Sequence, residues 1–232
     1  MKETLTRILV GIGMAMVGIG AGVLEYFHIP GMRILAMIVV VGMIAEVTAA
    51  LVKGTRNKEK GIRQKEIKNF AFKSFLFLIP YSLFLIAAAW HVGGRPWIVL
   101  LLLLIIVSAD VGAFVFGRLI GGDKMWPAIS PGKTWAGQIA GIICGTAAAL
   151  LYGFIGTSVA TGHLVYGTFM PQLMWIGMSV ALLSQYGDLT ESWLKRKLGI
   201  KDMSHLLPGH GGIADRFDGW IYVLPVVWLV ML

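Results

Sequence analysis

The sequence predicts an all-α polytopic integral membrane protein of about seven transmembrane helices with its active site at the cytoplasmic side, and three observations carry that prediction. Of 232 residues, 57% are hydrophobic and only 14% charged, against roughly a quarter charged in soluble domains. The apolar residues fall into long runs rather than alternating patterns. The 20 Lys and Arg, set against 12 Asp and Glu for a net charge of +8, lie mostly between those runs, as topology signals that also attract anionic headgroups. A chain with its basic residues so placed is not expected to bind nucleic acid. The single cysteine, Cys144, excludes an intrachain disulfide.

The whole chain, 1–232, reads as one transmembrane domain, with N-terminal spans and a basic loop in 1–96 and a motif-bearing half in 97–232. No cleavable signal is evident, so the first apolar run, Ile8 to Tyr26, is expected to remain as a helix. Its glycines suit close helix packing better than a dinucleotide loop, because no strand precedes them. A second span covers Met32 to Val52 and contains Glu46, a carboxyl that must face protein or a polar cavity. Lys53 to Lys73 holds eight basic residues and two acidic ones, a cytoplasmic loop or interfacial helix.

A third span covers Ser74 to Trp90, with a kink at Pro80, and a fourth starts at Trp97 and reaches Ser108 and Asp110. An aspartate at the centre of a membrane helix costs about 2.5–3.5 kcal/mol on insertion scales, so Asp110 should be paired or wetted. The glycines and prolines of 121–137 read as a cytoplasmic loop with re-entrant character. Its Gly-Lys-Thr is no P-loop, since Pro127 stands where the motif needs glycine. Spans five and six cover Trp135 to Ile155 and Leu173 to Leu194, the latter extending as a polar helix until Gly199 stops it. Span seven, Phe217 to Leu232, is short. With a cytoplasmic N-terminus, only Arg33 and Arg95 of the basic residues fall outside.

Chemistry concentrates between Ser184 and Asp218, which holds five of the twelve acidic residues. Ser184, Asp188, Glu191 or Ser192, and Lys195 recur at three- and four-residue spacing and form one polar stripe on a helix. Asp215 and Asp218 make a second i, i+3 pair. Two helices thus present carboxylates across a loop of Gly, His and Lys, an arrangement suited to a cation. The same features describe a cation-coupled transporter, for which only Glu25 and Glu46 offer a path outward.

The run from Ser192 to Asp218, S-W-L-K-R, four residues, K-D-M-S-H-L-L-P-G-H-G-G-I-A-D-R-F-D, resembles the signature of the phosphatidate cytidylyltransferases. The blocks G-D-L-T-E-S, S-A-D-V-G-A-F-V-F-G-R and S-P-G-K-T-W-A-G are similar to others of that family, so the resemblance covers about the C-terminal half. Ala136 stands where the family usually has Glu. The resemblance implies cytidylyl transfer from CTP to phosphatidic acid, giving CDP-diacylglycerol and pyrophosphate, with Mg2+ required and a second cation plausible. Its partners would be CTP, phosphatidic acid and membrane lipids, in a bacterial plasma membrane with the site facing the cytoplasm. A homodimer stays open, and so does another lipid phosphate as acceptor.

On that reading Asp188 and Asp215, then Asp218, are the expected metal ligands and catalytic carboxylates, because hard oxygen donors suit Mg2+. Arg216 and His210 join them as catalytic candidates. Asp110, Ser130, Lys133, Thr134, Lys195, Arg196, Lys201, Gly211 and Gly212 are candidates for binding nucleotide or lipid phosphate. For Lys195 and Arg196 the topology signal, and for the glycines a plain turn, are the competing explanations.

Overall fold

A computed structural model of the chain describes residues 2–56, 81–82, 84–161, 170–207 and 211–231. It contains α1 (Lys2–Tyr26), α2 (Gly31–Arg56), α3 (Phe84–Gly93), α4 (Pro96–Ile120), β1 (Lys124–Trp126), β2 (Ser130–Thr134), α5 (Trp135–Thr161), α6 (Met170–Leu198), α7 (Ala214–Phe217) and α8 (Trp220–Met231). Pro80 and nearly all of the basic loop after Lys53 lie outside the described residues.

Among the described residues, three helical stretches are long and apolar enough to cross a membrane: Gly31–Lys53, Pro96–Ile120 and Trp135–Gly156. Ile12–Glu25, Phe84–Gly93 and Trp220–Met231 are shorter apolar helices. On α4 Leu102, Ile105, Ile106, Ala109 and Gly112 are buried, while Val107, Val111 and Phe114 are exposed. A helix of a soluble protein would turn a polar face outward there. An apolar outer face fits lipid.

The chain falls into two compact units, Met1–Pro96 with Glu191–Leu232 and Trp97–Thr190. In the first, α1 and α2 meet through a turn in which His28 adopts φ 63°. Glu25 ties that turn, accepting from the Met32 and Arg33 amides at 3.2 and 3.5 Å and pairing with Arg33 Nε at 3.1 Å. Met43, Ala50 and Leu51 of α2 form a core with Leu198, Met203 and Ala214, flanked by Leu194, Ile200, Ile213 and Phe217. This core places the signature segment against α2. The last turn of α6 closes on Gly199 at φ +71°, where Ile200 N donates to Lys195 O at 3.0 Å and Gly199 N to Arg196 O at 3.2 Å. That is the Schellman pattern, and glycine supplies its left-handed residue at little cost.

In the second unit, small residues let α4, α5 and the first part of α6 approach closely. A Cβ added at Gly145 would lie 2.8 Å from Ala181 Cβ and 3.2 Å from Ile105 O; one at Gly177 would lie 2.8 Å from Thr146 Cα. Tyr152 of α5 donates to Trp97 O at 3.0 Å.

The expectation of helices alone needs one correction. The stretch read as a loop after α4 contains an antiparallel hairpin, with Lys124 opposite Thr134 and Trp126 opposite Ser130 and an irregular register between them. Gly121 and Gly122, at φ 68° and 85°, turn the chain out of α4 into it. Prolines and glycines hid these strands, since no apolar alternation marks them. Span seven also differs: the helix breaks after Phe217 and resumes at Trp220, and its twelve residues include Pro225.

The glycine contacts predict a difference between two sites on α5. Gly145→Leu overpacks a closed interface, a change that typically costs about 1–3 kcal/mol, and should lower the melting temperature of the detergent-solubilised protein by at least about 2 °C. Gly156→Leu, where nothing lies within 4 Å, should leave it within about 1 °C. Equal melting of the two variants in a fluorescence-detected thermal scan would contradict this packing.

Candidate active site

Asp188 and Glu191 stand one turn apart on α6, with Lys195 one turn further, as the polar stripe predicts. Lys195 lies at the centre of a buried ion cluster in the first unit. Its Nζ donates to Glu191 Oε2 and to Asp215 Oδ1, each at 2.8 Å. The three side chains are 15%, 2% and 6% exposed, respectively. Asp215 accepts two further bonds, from Gly212 N at 2.8 Å and Met203 N at 3.0 Å, so its carboxylate stitches the two ends of the signature loop together.

These partners have electrostatic consequences. Burial by itself would raise the pKa of Asp215, but the Lys195 ammonium and the two amides outweigh it and hold the carboxyl below its usual value. Burial likewise pulls Lys195 down, while hydrogen bonds and charge from Asp215 and Glu191 pull it up further, and the net shift is upward. Lys195 is therefore engaged by protein carboxylates, and its expected contact with substrate phosphate has that competitor.

Glu191 keeps one oxygen in reserve. Its Oε1 is buried with no hydrogen-bond partner among the described residues, an expensive state for an ionised carboxylate that either a cation or a proton would relieve. Asp218, which caps α7, brings a carboxylate oxygen within 4.8 Å of one from Glu191. Glu191 and Asp218 belong to a group of acidic side chains that could hold a metal ion, and Asp188 stands one turn before Glu191 on the same helix. Glu191 was visible in the sequence as a member of the stripe but was not among the expected ligands; its i, i+3 relation to Asp188 was the available signal.

In the second unit, Lys133 Nζ lies 2.6 Å from Asp188 Oδ2 and 3.5 Å from Gln185 O. Asp110, exposed on α4, is within electrostatic reach of both Lys133 and Asp188. Ser130 opens β2 in a half-buried position. Thr134 is the N-cap of α5: its Oγ1 accepts from Gly137 N at 3.1 Å, satisfying one of the amides that a helix start leaves free. Ala136 sits in that first turn, where a glutamate would have favoured the helix dipole.

Arg216, Arg196 and Lys201 are exposed. His210 lies outside the described residues. Gly211 adopts φ +84°, and its carbonyl accepts from Leu207 N at 2.8 Å. Gly212 is buried against Glu46, whose Oε2 would collide with a Cβ at that position. Glu46 itself accepts from Ser204 Oγ at 2.7 Å, Ile213 N at 3.0 Å and Ala214 N at 2.8 Å. Sequence reasoning left its role open between packing and function, because no motif linked the second helix to a loop 158 residues further on.

A group whose folded pKa is depressed contributes stability above its unfolded pKa and loses it as pH falls through the folded value. Asp215→Asn should therefore melt well below the native protein at pH 7, and the gap should narrow as pH drops below the ordinary aspartate value of 3.8. Melting curves of both proteins from pH 7 to pH 3 test this. A gap of constant size would show that the Asp215 charge contributes nothing.

Comparison with known proteins agrees with this geometry. The chain is 38% identical over 135 residues to the phosphatidate cytidylyltransferase of Staphylococcus saprophyticus, a stretch covering 58% of this chain and 48% of that protein. It is 36% identical over 152 residues to the phosphatidate cytidylyltransferase of Rickettsia bellii, covering 66% of this chain and 64% of that protein. The Staphylococcus aureus protein of the same name is 38% identical over 133 residues, covering 56% of this chain and 46% of its own. The chain thus spans about half the length of its staphylococcal relatives and under two thirds of the rickettsial one. The sequence model of the Cytidylyltransferase family matches residues 2–232, and the chain belongs to that family.

Proposed function

We propose that the protein transfers the cytidylyl group of CTP to phosphatidic acid, releasing pyrophosphate and forming CDP-diacylglycerol. The observation that carries this reading is the approach of the Glu191 and Asp218 carboxylates, with Asp188 one turn before Glu191 on the same helix, set within the segment that matches the family. A phosphate oxygen of the lipid attacks the α-phosphorus of CTP as the bond to the β-phosphate breaks. The new P–O bond makes the diphosphate of the product, and pyrophosphate leaves with the electron pair. The nucleophile is already ionised, so the task is positioning and charge neutralisation rather than strong base catalysis.

Hard oxygen donors and the spare Oε1 of Glu191 fit Mg2+. When bound, the ion would neutralise charge on the triphosphate and orient it. In this reading Asp188, Glu191 and Asp218 are the ligands and Asp215 holds the loop that carries Asp218. A second cation would be expected to use Asp215 as well. Thr134 and Gly212 serve as cap and close-approach residue, while Lys133, Ser130, Arg216, His210, Arg196 and Lys201 would contact the phosphates of nucleotide and lipid.

The seven-span topology with a cytoplasmic N-terminus belongs to the same proposal, supported by the one-sided basic residues and by the need for CTP to arrive from the cytosol. The transporter alternative loses its support. Glu25 is tied to the α1–α2 turn and Glu46 to the α7 segment, so neither is left to line an outward path.

Purified protein incubated with labelled CTP, phosphatidic acid and Mg2+ should form labelled CDP-diacylglycerol and pyrophosphate. Asp188→Asn and Asp218→Asn should each lower kcat/KM by at least about 100-fold, or about 2.7 kcal/mol of transition-state stabilisation. Glu191→Gln should chiefly raise the Mg2+ concentration needed for half-maximal rate. Label transfer to a different lipid phosphate in preference to phosphatidic acid would move the reading to a related cytidylyltransferase; no transfer to any would end it.

A further inference from the structure

Glu46 is a buried carboxylate in the apolar α2, and it lies outside the stretch that carries the signature. Such a group is costly to bury unless its lone pairs meet donors, and here all the donors come from one segment. Oε1 receives the Ser204 hydroxyl and the Ile213 amide, and Oε2 receives the Ala214 amide. Ile213 and Ala214 begin α7, where amides have no partner within the helix. The side chain that usually caps such a turn is absent: Ile213 makes no side-chain cap bond. Glu46 supplies the cap from another helix.

The neighbouring sequence is shaped to receive it. Gly212 is the residue whose Cβ would collide with the Glu46 carboxylate, 2.9 Å from its Cδ. Gly42, one turn earlier on α2, accommodates Ile213, with a Cβ there falling 2.8 Å from Ile213 Cδ1. Ser204 is the residue after Met203, whose amide Asp215 holds. Two carboxylates thus divide the loop between them. Asp215 takes Met203 N and Gly212 N, and Glu46 takes Ser204, Ile213 and Ala214.

We infer that Glu46 is a positioning residue for the site: by capping α7 and gripping Ser204, it fixes the orientation in which Asp215 and Asp218 are presented. It touches no substrate. Its effect reaches the chemistry through α7, whose four residues have too few internal bonds to hold a direction alone. The inference rests on the proposed role of Asp218 as a ligand, and its consequence is that the N-terminal half carries part of the site's geometry. Glutamine cannot replace Glu46 fully, since its amide nitrogen would face a donor.

The test uses the full-length protein in detergent, with Mn2+ as a spectroscopic probe of the metal site and hydrogen exchange of residues 203–219 as a probe of the loop. Glu46→Gln should weaken Mn2+ binding, followed by electron paramagnetic resonance, at least about tenfold, and should speed exchange in 203–219. Val40→Ala, a loss of packing at a buried site on the same helix, serves as a control for stability alone. It should lower the melting temperature without changing Mn2+ affinity. Glu46→Asp, which keeps the charge but shortens the reach, should fall between native protein and Glu46→Gln in both readouts. Native Mn2+ affinity in Glu46→Gln, or equal weakening by Val40→Ala, would overturn the inference. If the native protein itself binds no Mn2+, the metal reading fails instead. Hydrogen exchange then decides alone: faster exchange in Glu46→Gln than in Val40→Ala upholds the positioning role, and equal exchange removes it.

Discussion

The Lys195 ammonium, shared at 2.8 Å between Glu191 and Asp215, is the interaction on which the site depends. Three ionisable side chains with little access to water are tolerated only because each offsets the desolvation of the others, and removing one partner from such a group typically costs about 3–5 kcal/mol. The cluster has a geometric result as well. Lys195 belongs to α6 and Asp215 to α7, so the pair ties the two carboxylate-bearing helices at a fixed separation. Asp215 then passes the constraint to the loop through the amides of Met203 and Gly212.

Around this centre the protein solves one problem repeatedly, namely how to satisfy polar backbone in an apolar fold. Thr134 caps α5, Gly199 closes α6 with left-handed geometry, Glu25 ties the α1–α2 turn, and Glu46 caps α7. Each lies where a helix ends and amides or carbonyls would otherwise go unpaired. The groups that do this come from nearby residues at α5, at α6 and at the α1–α2 turn. At α7 the helix is too short and its leading residues, Gly212 and Ile213, carry no acceptor. A carboxylate from α2 fills the gap.

Glycine does different work in the two halves of the fold. In α4, α5 and the first part of α6, small residues bring backbones together, as at Gly145 and Gly177, where helices in lipid gain contact from close approach. In the signature loop, Gly211 is needed for its φ of +84° and Gly212 for the space that Glu46 occupies. One residue type, met at both places in the sequence, answers two separate constraints.

Much of this was legible beforehand. Apolar runs located α1, α2, α4, α5 and α6 to within a few residues at most ends, because the length of a membrane helix and its composition are dictated by the solvent around it. The stop at Gly199 and the polar stripe through Asp188, Glu191 and Lys195 followed from local geometry. The hairpin of residues 124–134 was missed, since its pairing depends on two glycines turning the chain rather than on any alternation of side chains. The division of labour among the acidic residues was missed for a different reason. By itself the sequence determined the class of fold, the helices and the set of charged residues available, all of which depend on neighbours within a turn or two. Only the tertiary structure decided which carboxylate Lys195 and the loop amides would engage, which oxygen would be left over on Glu191, and that Glu46 would reach residues 204, 213 and 214. Hydrogen bonds and ion pairs act over about 3 Å, and no spacing along the chain reveals which distant groups are brought within that reach.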